Sequence, residues 1–320
     1  MSDRSPEAVG IDVGGTKIAA ARVSSVGEIL ARAVVPSPAD DTDAIVEAMV
    51  AAAVAVGAQG VTAVGISAAG MVEIGTGIMR FAPNLAWRDA DLRARVGTPL
   101  GLPTVVENDN NAAAWGEFRF GVGRGHRHVL FVGVGTGIGG GIVADGALLR
   151  GAHGFAAEIG HFVVQPDGER CGCGNRGCWE TVASGSAITR EARKAVARHP
   201  HSRIAELAEG DPDRATGSMV TRAAREGDPA ATGILAEVGH RLGEGIGGLV
   251  NILDPEIVIV GGGAAAAGDL LLAPARVAFR MSVEAPDHRP DVPIVAAGLG
   301  ADAGVIGAAV LALDGTPVAP

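Results

Sequence analysis

The sequence predicts an α/β protein that consists of two related lobes. Along its 320 residues, short buried strands alternate with helical segments, an order typical of α/β folds. One hydrophobic core rarely exceeds ~250–300 residues, so a chain of this length favours two. A strand, a glycine turn and a second strand occur at 11–23 (IDVGGTKIAAARV) and again at 131–143 (FVGVGTGIGGGIV), at an offset of 120. The match is short, but two equivalent units would imply a duplicated fold with two lobes facing a cleft.

The individual elements follow from local patterns of apolar residues, turn residues and caps. In the first half, apolar runs predict strands at 8–14, 18–23, 61–67 and 104–106. An Ala/Val-rich segment capped by Asp41 or Thr42 predicts a helix at 41–56, and a second helix is predicted at 111–120. The second half predicts a strand at 256–260 and helices at 180–198, 217–225, 229–253 and 302–312. Residues 201–213 are polar and rich in turn residues, which predicts an exposed excursion.

Composition and charge exclude several classes of protein. Hydrophobic residues make up 48% of the chain and charged residues 19%, which is typical of a well-buried globular protein. The net charge of −10, the lack of a basic face and an aromatic content of 3% argue against a nucleic-acid partner. No uncharged apolar run reaches the ~18 residues of a membrane span, so no membrane partner is expected. The opening residues MSDRSPEAVG lack the apolar region of a secretory signal, which together with reduced cysteines predicts a cytoplasmic location.

All three cysteines lie within eight positions, which is the strongest signal of a functional element. Cys171, Cys173 and Cys178 follow His161, which lies ten positions before the first of them. Three thiols and one imidazole form the four-ligand set of a closed tetrahedral zinc site, which is structural because no position stays open for substrate. Free thiols, or one disulfide with an odd cysteine, are the alternatives, but the clustering and the odd count favour the metal.

The first glycine turn, Asp12-Val13-Gly14-Gly15-Thr16-Lys17, has the features of an anion site. Backbone N–H groups in such a turn form a concavity for phosphate, and Lys17 adds a positive charge. Asp12 could hold water around Mg²⁺. The spacing matches neither a Walker A loop nor a dinucleotide-binding GxGxxG motif. An ordinary glycine hairpin without a ligand is the alternative.

Two later glycine runs extend this hypothesis. The turn at 135–141 (GTGIGGG) could offer further amides to a phosphate tail. The run Gly261-Gly262-Gly263 follows a strand, where backbone could lie against a flat ring or a ribose. Connections between strands and helices often use glycine, so both runs could also be unliganded.

Several polar residues at strand ends and turns are candidates for substrate chemistry. Asp109, where a buried strand meets a helix, could cap the helix or act as a general base that accepts a hydroxyl proton during phosphoryl transfer. Asn84 is a turn residue whose amide could bind a sugar hydroxyl. Glu158 could be a surface glutamate, but a zinc ligand three positions later would fix its place. With Glu180 it flanks the cysteine element, which suggests a rigid frame for a polar ligand.

Together these motifs resemble the ROK family, which groups bacterial sugar kinases with related sugar-responsive repressors. The resemblance runs from residue 11 to about 313 and rests on DVGGTK at 12–17, ENDNNAAAWGE at 107–117, GTGIGGG at 135–141, EIGH at 158–161 and CGCGNRGCWE at 171–180. Within the family it is greatest to glucose kinases of high-GC Gram-positive bacteria, through CGNRGCWE running into Ala183-Ser184-Gly185.

The resemblance implies a fold, a reaction and a set of site residues. The implied fold is the actin-like ATPase (ribonuclease H-like) fold, with 1–108 and about 303–320 in a small lobe and 109–302 in a large lobe that carries the zinc loop and the surface of a homodimer, or of a tetramer. The implied reaction transfers the γ-phosphoryl group of ATP, with Mg²⁺, to the 6-hydroxyl of glucose, and Asp109 is the base.

The implied sugar contacts are Asn84, Asn108, Asp109, Glu158, His161 and Glu180, and the implied structural Zn²⁺ ligands are His161, Cys171, Cys173 and Cys178. The implied nucleotide contacts are Asp12, Gly14, Gly15, Thr16, Lys17, Gly135, Thr136, Gly137, Gly139, Gly261, Gly262 and Gly263.

Three alternatives to this reaction are considered. The substrate could be another hexose, namely N-acetylmannosamine, N-acetylglucosamine, fructose or mannose. Polyphosphate could be the donor, although no extended basic track for a polyanion is apparent. A repressor would need an N-terminal helix-turn-helix domain, and a first strand beginning near residue 8 leaves no room for one.

Overall fold

A computed structural model of the chain describes residues 5–315. Two compact units are present. The first comprises the chain up to Phe131, Gly141–Ala157 and the residues from Gly298 onward, and the second comprises Val132–Gly140 and Glu158–Ala297. The predicted lobe boundaries stay a prediction, and residues 1–4 and 316–320 of the predicted small lobe lie outside the described residues.

The strands and helices alternate along the chain as predicted. The elements before the second glycine turn are β1 Glu7–Val13, β2 Lys17–Ser24, β3 Ile29–Pro36, α1 Thr42–Ala55, β4 Ala63–Ala68, β5 Met71–Val72, β6 Ile78–Phe81, β7 Arg88–Asp91, α2 Leu92–Leu100, β8 Thr104–Asn108, α3 Asp109–Phe120 and β9 Val129–Val134. The elements after it are β10 Ile138–Ala144, β11 Ala147–Leu148, α4 Glu180–Ala183, α5 Gly185–Arg198, α6 Arg203–Leu207, α7 Gly217–Arg225, α8 Pro229–Leu253, β12 Ile257–Gly261, α9 Asp269–Ser282, β13 Ile294–Ala296 and α10 Ala303–Leu313.

The main sheet of the first unit aligns the polar ends of three strands. Its order is β3-β2-β1-β4-β8, and a separate small sheet has the order β5-β6-β7. β1, β4 and β8 run parallel, whereas β2 is antiparallel to β1. In this register Asp12 lies opposite Ser67, and Ser67 lies opposite Glu107. The carboxyl ends of parallel strands meet at one edge of a sheet, so three polar residues from distant segments form one row.

Helix α10 can pack closely against this sheet because two residues of the sheet are glycines. α10 is almost entirely apolar and buried. A Cβ atom added at Gly10 would lie 1.9 Å from the Val305 carbonyl oxygen, and one at Gly65 would lie 1.8 Å from that of Ala308. Only glycine at these two positions lets α10 lie directly on β1 and β4.

A second five-stranded sheet, β11-β10-β9-β12-β13, continues the α/β pattern. In the second unit α8 packs along α9 through three glycines spaced four residues apart. Cβ atoms at Gly239 and Gly243 would lie 2.4 and 2.0 Å from backbone oxygens of α9, and one at Gly247 would lie 2.6 Å from the Ser282 side chain. Residues at this spacing share one helix face, so the glycines form a groove for α9.

The predicted exposed excursion at 201–213 is wrong in part. Within it α6 forms, and Ile204 and Ala205 are buried. Ser202 caps the helix by accepting a hydrogen bond from the Ala205 N–H, and the buried carboxylate of Asp228 accepts one from the Ile204 N–H. A cap at one end and two apolar residues are enough to fold a polar segment onto its neighbours. The helix predicted at 180–198 is likewise interrupted, because Ser184 ends α4 and caps α5.

Candidate active site

The row of strand ends in the first unit carries the half-buried side chain of Asp12. Asp12 Oδ1 accepts a hydrogen bond of 2.7 Å from Ser67 Oγ, and Ser67 is fully buried. Burial raises the pKa of the Asp12 carboxyl, while the Ser67 hydrogen bond and the charge of Lys17 act in the opposite direction. An ionised Asp12 is therefore held at a cost in stability, a feature common in functional sites.

The substitution Asp12→Asn should raise thermal stability while it lowers activity. Because the folded state raises the pKa of Asp12, an ionised carboxylate destabilises the fold at pH values above the ordinary aspartate pKa. Asparagine keeps an oxygen acceptor for Ser67 and removes the charge. We expect D12N to raise Tm by about 2 °C at pH 7, with the gap closing as the pH falls, and to lower phosphoryl transfer. Thermal melts from pH 4 to 8 measure this. A Tm below that of the wild type at every pH would contradict the account.

The first glycine turn joins β1 to β2 and lies beside a predicted sugar contact. The Gly14 N–H donates to the Lys17 carbonyl at 3.0 Å and closes the turn. Thr16 and Lys17 are exposed. A Cβ at Gly15 would lie 3.2 Å from the backbone oxygen of Asn84. The structure thus brings the predicted phosphate turn next to the exposed Asn84.

The start of α3 shows which residue caps this helix. Asn108 Oδ1 accepts hydrogen bonds from the backbone N–H groups of Asn110 (2.9 Å) and Asn111 (3.1 Å), so Asn108 is the cap. Asp109 is the first helical residue, is half-buried, and accepts a hydrogen bond of 3.0 Å from Asn110 Nδ2. The capping role proposed for Asp109 is therefore taken by its neighbour. Asn108 Nδ2 also donates to the Gly70 carbonyl at 3.1 Å, which ties this junction to the end of β4.

In the second unit, the four predicted metal ligands converge. Their nearest ligand atoms all lie within 4.8 Å of one another. Cys173 Sγ lies 3.7 Å from Cys178 Sγ, and Cys171 Sγ lies 3.6 Å from His161 Nδ1. Tetrahedral zinc with Zn–S of ~2.3 Å and Zn–N of ~2.0–2.1 Å requires S···S and S···N separations of about 3.8 and 3.5 Å. These two separations match those values, so the cluster is compatible with a bound metal ion.

Local backbone geometry explains why the cysteines converge. The Cys171 N–H donates to the Asn175 carbonyl at 2.8 Å, and the Gly174 N–H donates to the Cys171 carbonyl at 3.0 Å. Gly174 has a φ of +99°, which a residue with a side chain rarely adopts. Burial raises the pKa of the Cys171 and Cys178 thiols, so clustered thiolates at this place need a cation beside them.

The predicted sugar-binding carboxylates face the two nitrogens of one histidine. Glu180 Oε1 lies 3.7 Å from His161 Nδ1, on the side of the thiols. Glu158 Oε2 lies 3.9 Å from His161 Nε2, on the other side of the ring. Burial raises the pKa of the Glu158 carboxyl; the charge of His161 opposes this shift and that of Glu180 adds to it. One ring nitrogen is thus directed to the metal ligands while the other faces an acidic group.

The second glycine turn is held by the start of α5. The Gly135 N–H donates to the Gly137 carbonyl at 3.0 Å. The first two N–H groups of α5, from Gly185 and Ser186, donate to the carbonyls of Gly135 (2.8 Å) and Thr136 (3.2 Å). On the following strand, the Ile138 N–H donates to Glu180 Oε2 at 3.3 Å. The turn is thereby linked both to a helix and to the carboxylate of Glu180, which also lies beside His161.

Gly185→Ala should disturb this turn selectively. A Cβ at Gly185 would lie 2.5 Å from the Gly135 carbonyl oxygen, so the turn must move. We expect the KM for ATP to rise by about 10-fold, with little change in the KM for glucose. Gly217→Ala is the matched control, since Gly217 opens α7 and its Cβ would have no neighbour nearer than 3.7 Å. Steady-state kinetics test this, and an unchanged KM for ATP in G185A would argue against a nucleotide role for the turn.

The third glycine run lies next to the second. Gly261 ends β12, and Gly262 follows with a φ of +84°. A Cβ at Gly262 would lie 2.5 Å from the Val134 carbonyl oxygen, immediately before Gly135. The two segments predicted to contact the nucleotide from this unit are therefore neighbours. Gly139 lies within β10, and Gly263 is exposed.

Comparison with known proteins identifies the family. The ROK family profile matches residues 8–315. The chain belongs to the ROK family. This ROK chain is 44% identical over 314 residues to a glucokinase of Streptomyces coelicolor, covering 97% of this chain and 98% of that protein.

Solved structures extend this likeness to the fold. The ROK chain is similar to the ROK family glucokinase of Streptomyces griseus in complex with glucose and AMPPNP, at 44% identity and a TM-score of 0.89 over 96% of this chain and 99% of that one. It is also similar to the ROK hexokinase of Thermus thermophilus, at 33% identity and a TM-score of 0.77 over 97% and 98%. The predicted actin-like ATPase fold is confirmed. Within residues 5–315 no helix is both long and apolar enough to cross a membrane.

Proposed function

We propose that this chain is an ATP-dependent glucokinase that forms glucose 6-phosphate. The observation that carries the proposal is the likeness, over nearly the whole length of both chains, to a kinase structure that holds glucose and AMPPNP. The site agrees with it, because acidic and amide groups suited to sugar hydroxyls lie beside glycine turns suited to phosphate. A sugar-responsive regulator and a kinase for another hexose are not favoured.

In the proposed reaction Asp109 accepts the proton of the 6-hydroxyl as that oxygen attacks the γ-phosphorus, the bond from this phosphorus to the β,γ-bridging oxygen breaks, and ADP leaves. Asp109 is suited to this because it is a half-buried carboxylate at the first position of α3, where Asn108 and not Asp109 provides the helix cap. Asn84, Asn108, Glu158, His161 and Glu180 orient the sugar. Holding the hydroxyl in line with the phosphorus accounts for much of the rate in such transfers.

The glycine turns are proposed to bind the polyphosphate of ATP. Backbone N–H groups of Gly15 and Thr16 in the first turn, and of Thr136 and Gly137 in the second, stabilise the charge that spreads over the transferred oxygens. Mg²⁺, when bound with ATP, supplies further charge stabilisation there, and Asp12 is the residue that would hold its water shell. Zn²⁺, when bound by His161 and the three cysteines, supplies rigidity to the sugar-binding loop.

Three finer assignments belong to the same proposal. Glucose and ATP are the substrates. The protein acts in the cytoplasm, since three thiolate ligands need a reducing compartment. It assembles as a homodimer, or a tetramer, through the surface of the large lobe.

A substrate panel tests the proposed function. Initial rates with ATP and Mg²⁺ are measured for glucose, mannose, fructose, N-acetylglucosamine and N-acetylmannosamine, and the donor series adds polyphosphate. We expect kcat/KM to be highest for glucose with ATP, by roughly 10-fold or more over sugars that differ at the 2-position, because a missing or misplaced hydroxyl leaves polar groups of the site unpaired. A higher kcat/KM for another sugar or donor would reject this assignment.

A further inference from the structure

One buried ion pair includes Glu107, two positions before the predicted base, and the sequence motifs did not indicate its partner. Glu107, at the end of β8, and Arg150, just after β11, are joined by a contact of 2.6 Å between Arg150 Nε and Glu107 Oε2. Their side chains are only 15% (Arg150) and 8% (Glu107) exposed. The two residues are 43 positions apart but belong to the same unit. Both charges are removed from water, so each depends on the other.

The second oxygen of Glu107 contacts the backbone N–H of Asn108, just before Asp109, and the side chain of Asn111, just after it. Glu107 Oε1 accepts a hydrogen bond of 3.1 Å from the Asn108 N–H and one of 3.0 Å from Asn111 Nδ2. Asn111 is 1% exposed, and its own Oδ1 has no hydrogen-bond partner among residues 5–315. Within that range, the hydrogen bond to Glu107 is therefore the contact that orients the Asn111 amide. A single carboxylate thus fixes the residue before Asp109 and the residue two positions after it.

Arg150 is itself fixed in place. Its carbonyl accepts a hydrogen bond of 3.0 Å from the Ala156 N–H, which closes the turn that Arg150 opens. The next residue, Gly151, has a φ of +75°, and a Cβ there would lie 3.1 Å from Ala156 Cβ. The guanidinium therefore extends from a constrained turn and sets where the Glu107 carboxylate can lie.

We propose that the Arg150–Glu107 pair is a positioning device that sets the orientation of Asp109 for proton transfer. Neither residue is proposed to touch the sugar or the nucleotide. The inference rests on the proposed function in that Asp109 is taken as the base. It assigns to the pair a role in alignment, which differs from the contribution to stability that any buried ion pair makes when one partner is removed.

The test compares Arg150→Met with a matched ion pair in the same unit. Arg22 and Glu7 form a pair with side chains 23% and 19% exposed, and neither residue belongs to the proposed site. We expect R150M to lower kcat by about 10- to 100-fold, with the KM for ATP within about twofold of the wild type, because small displacements of a catalytic group have effects of this size. R22M should lower Tm without changing kcat. Arg150→Lys, which keeps the charge, should restore part of the kcat.

Hydrogen exchange gives a readout that does not depend on the identity of the substrate. In R150M the amide of Asn108 should exchange faster than in the wild type, and in R22M it should not. Failure of the wild type to phosphorylate glucose would reject the proposed function. The hydrogen-exchange measurement at Asn108 would still test the positioning role. Wild-type kcat in R150M, an equal fall of kcat in R22M, or unchanged exchange at Asn108 would each overturn the positioning role. If R150M does not fold, E107Q/R150M replaces it, and wild-type kcat in that double variant would likewise overturn the inference.

Discussion

Asp109→Asn is expected to lower kcat for glucose phosphorylation by about 10²- to 10⁴-fold, the range typical of general-base catalysis. Asparagine has nearly the same shape, and its Oδ1 can still accept the hydrogen bond from Asn110 Nδ2. Because Asn108 provides the cap of α3, the fold should tolerate the change. Glucose affinity, measured by calorimetry, should stay close to that of the wild type.

Asp41→Asn is a suitable control for this prediction. Asp41 also stands at the start of a helix, where it accepts hydrogen bonds of 3.0 Å from the Asp43 and Ala44 N–H groups, and it is exposed. D41N removes the same charge from the same kind of position, so kcat should be unchanged. If D109N kept near-normal turnover, or if D41N lost as much, Asp109 would not be the base.

Cys173→Ser is expected to remove zinc and to destabilise the sugar-binding loop. Cys173 is one of four converging ligands, and small zinc domains derive about 10–16 kcal/mol of apparent free energy from their metal. Losing even part of such a contribution should lower Tm by roughly 5 °C or more. His161 would lose its anchor, so the KM for glucose should rise. Zinc content by elemental analysis, thermal melts and kinetics are measured on the same preparation.

Asn175→Ser is the control within the same loop. Asn175 is exposed and holds Cys171 through its backbone carbonyl, so a serine there leaves the ligand set intact. N175S should keep its zinc and its activity. A C173S protein that lacks zinc but has full activity and an unchanged Tm would refute the structural role of the metal.

Elements with a strong local signal were predicted well from the sequence. The helices predicted at 217–225 and 229–253 match α7 and α8, and the glycine turns fall where the repeats place them. Helix α9 was missed because Pro274 interrupts its pattern. It forms because α8 presents glycines against it, which is information from another segment. The small sheet β5-β6-β7 was missed since its strands are only two to four residues long.

The candidate site likewise contains some features that could be predicted from the sequence and others that could not. The convergence of His161 with the three cysteines could be predicted because the spacing of these residues in the sequence is distinctive. Ser67, which contacts Asp12 from 55 positions away, and the Arg150–Glu107 pair were not. Their contacts arise from the register of parallel strands and from a turn after β11. Neither feature can be recognised from a local pattern in the sequence.

Identification of the phosphorylated product tests the central claim most directly. Glucose, ATP and Mg²⁺ are incubated with the zinc-containing protein, and the new ester is examined by phosphorus-31 NMR. The account predicts one phosphomonoester whose phosphorus couples to the two protons on C6 of glucose, formed in equal amount to ADP. An ester on another carbon, or ADP released without any sugar ester, would contradict it.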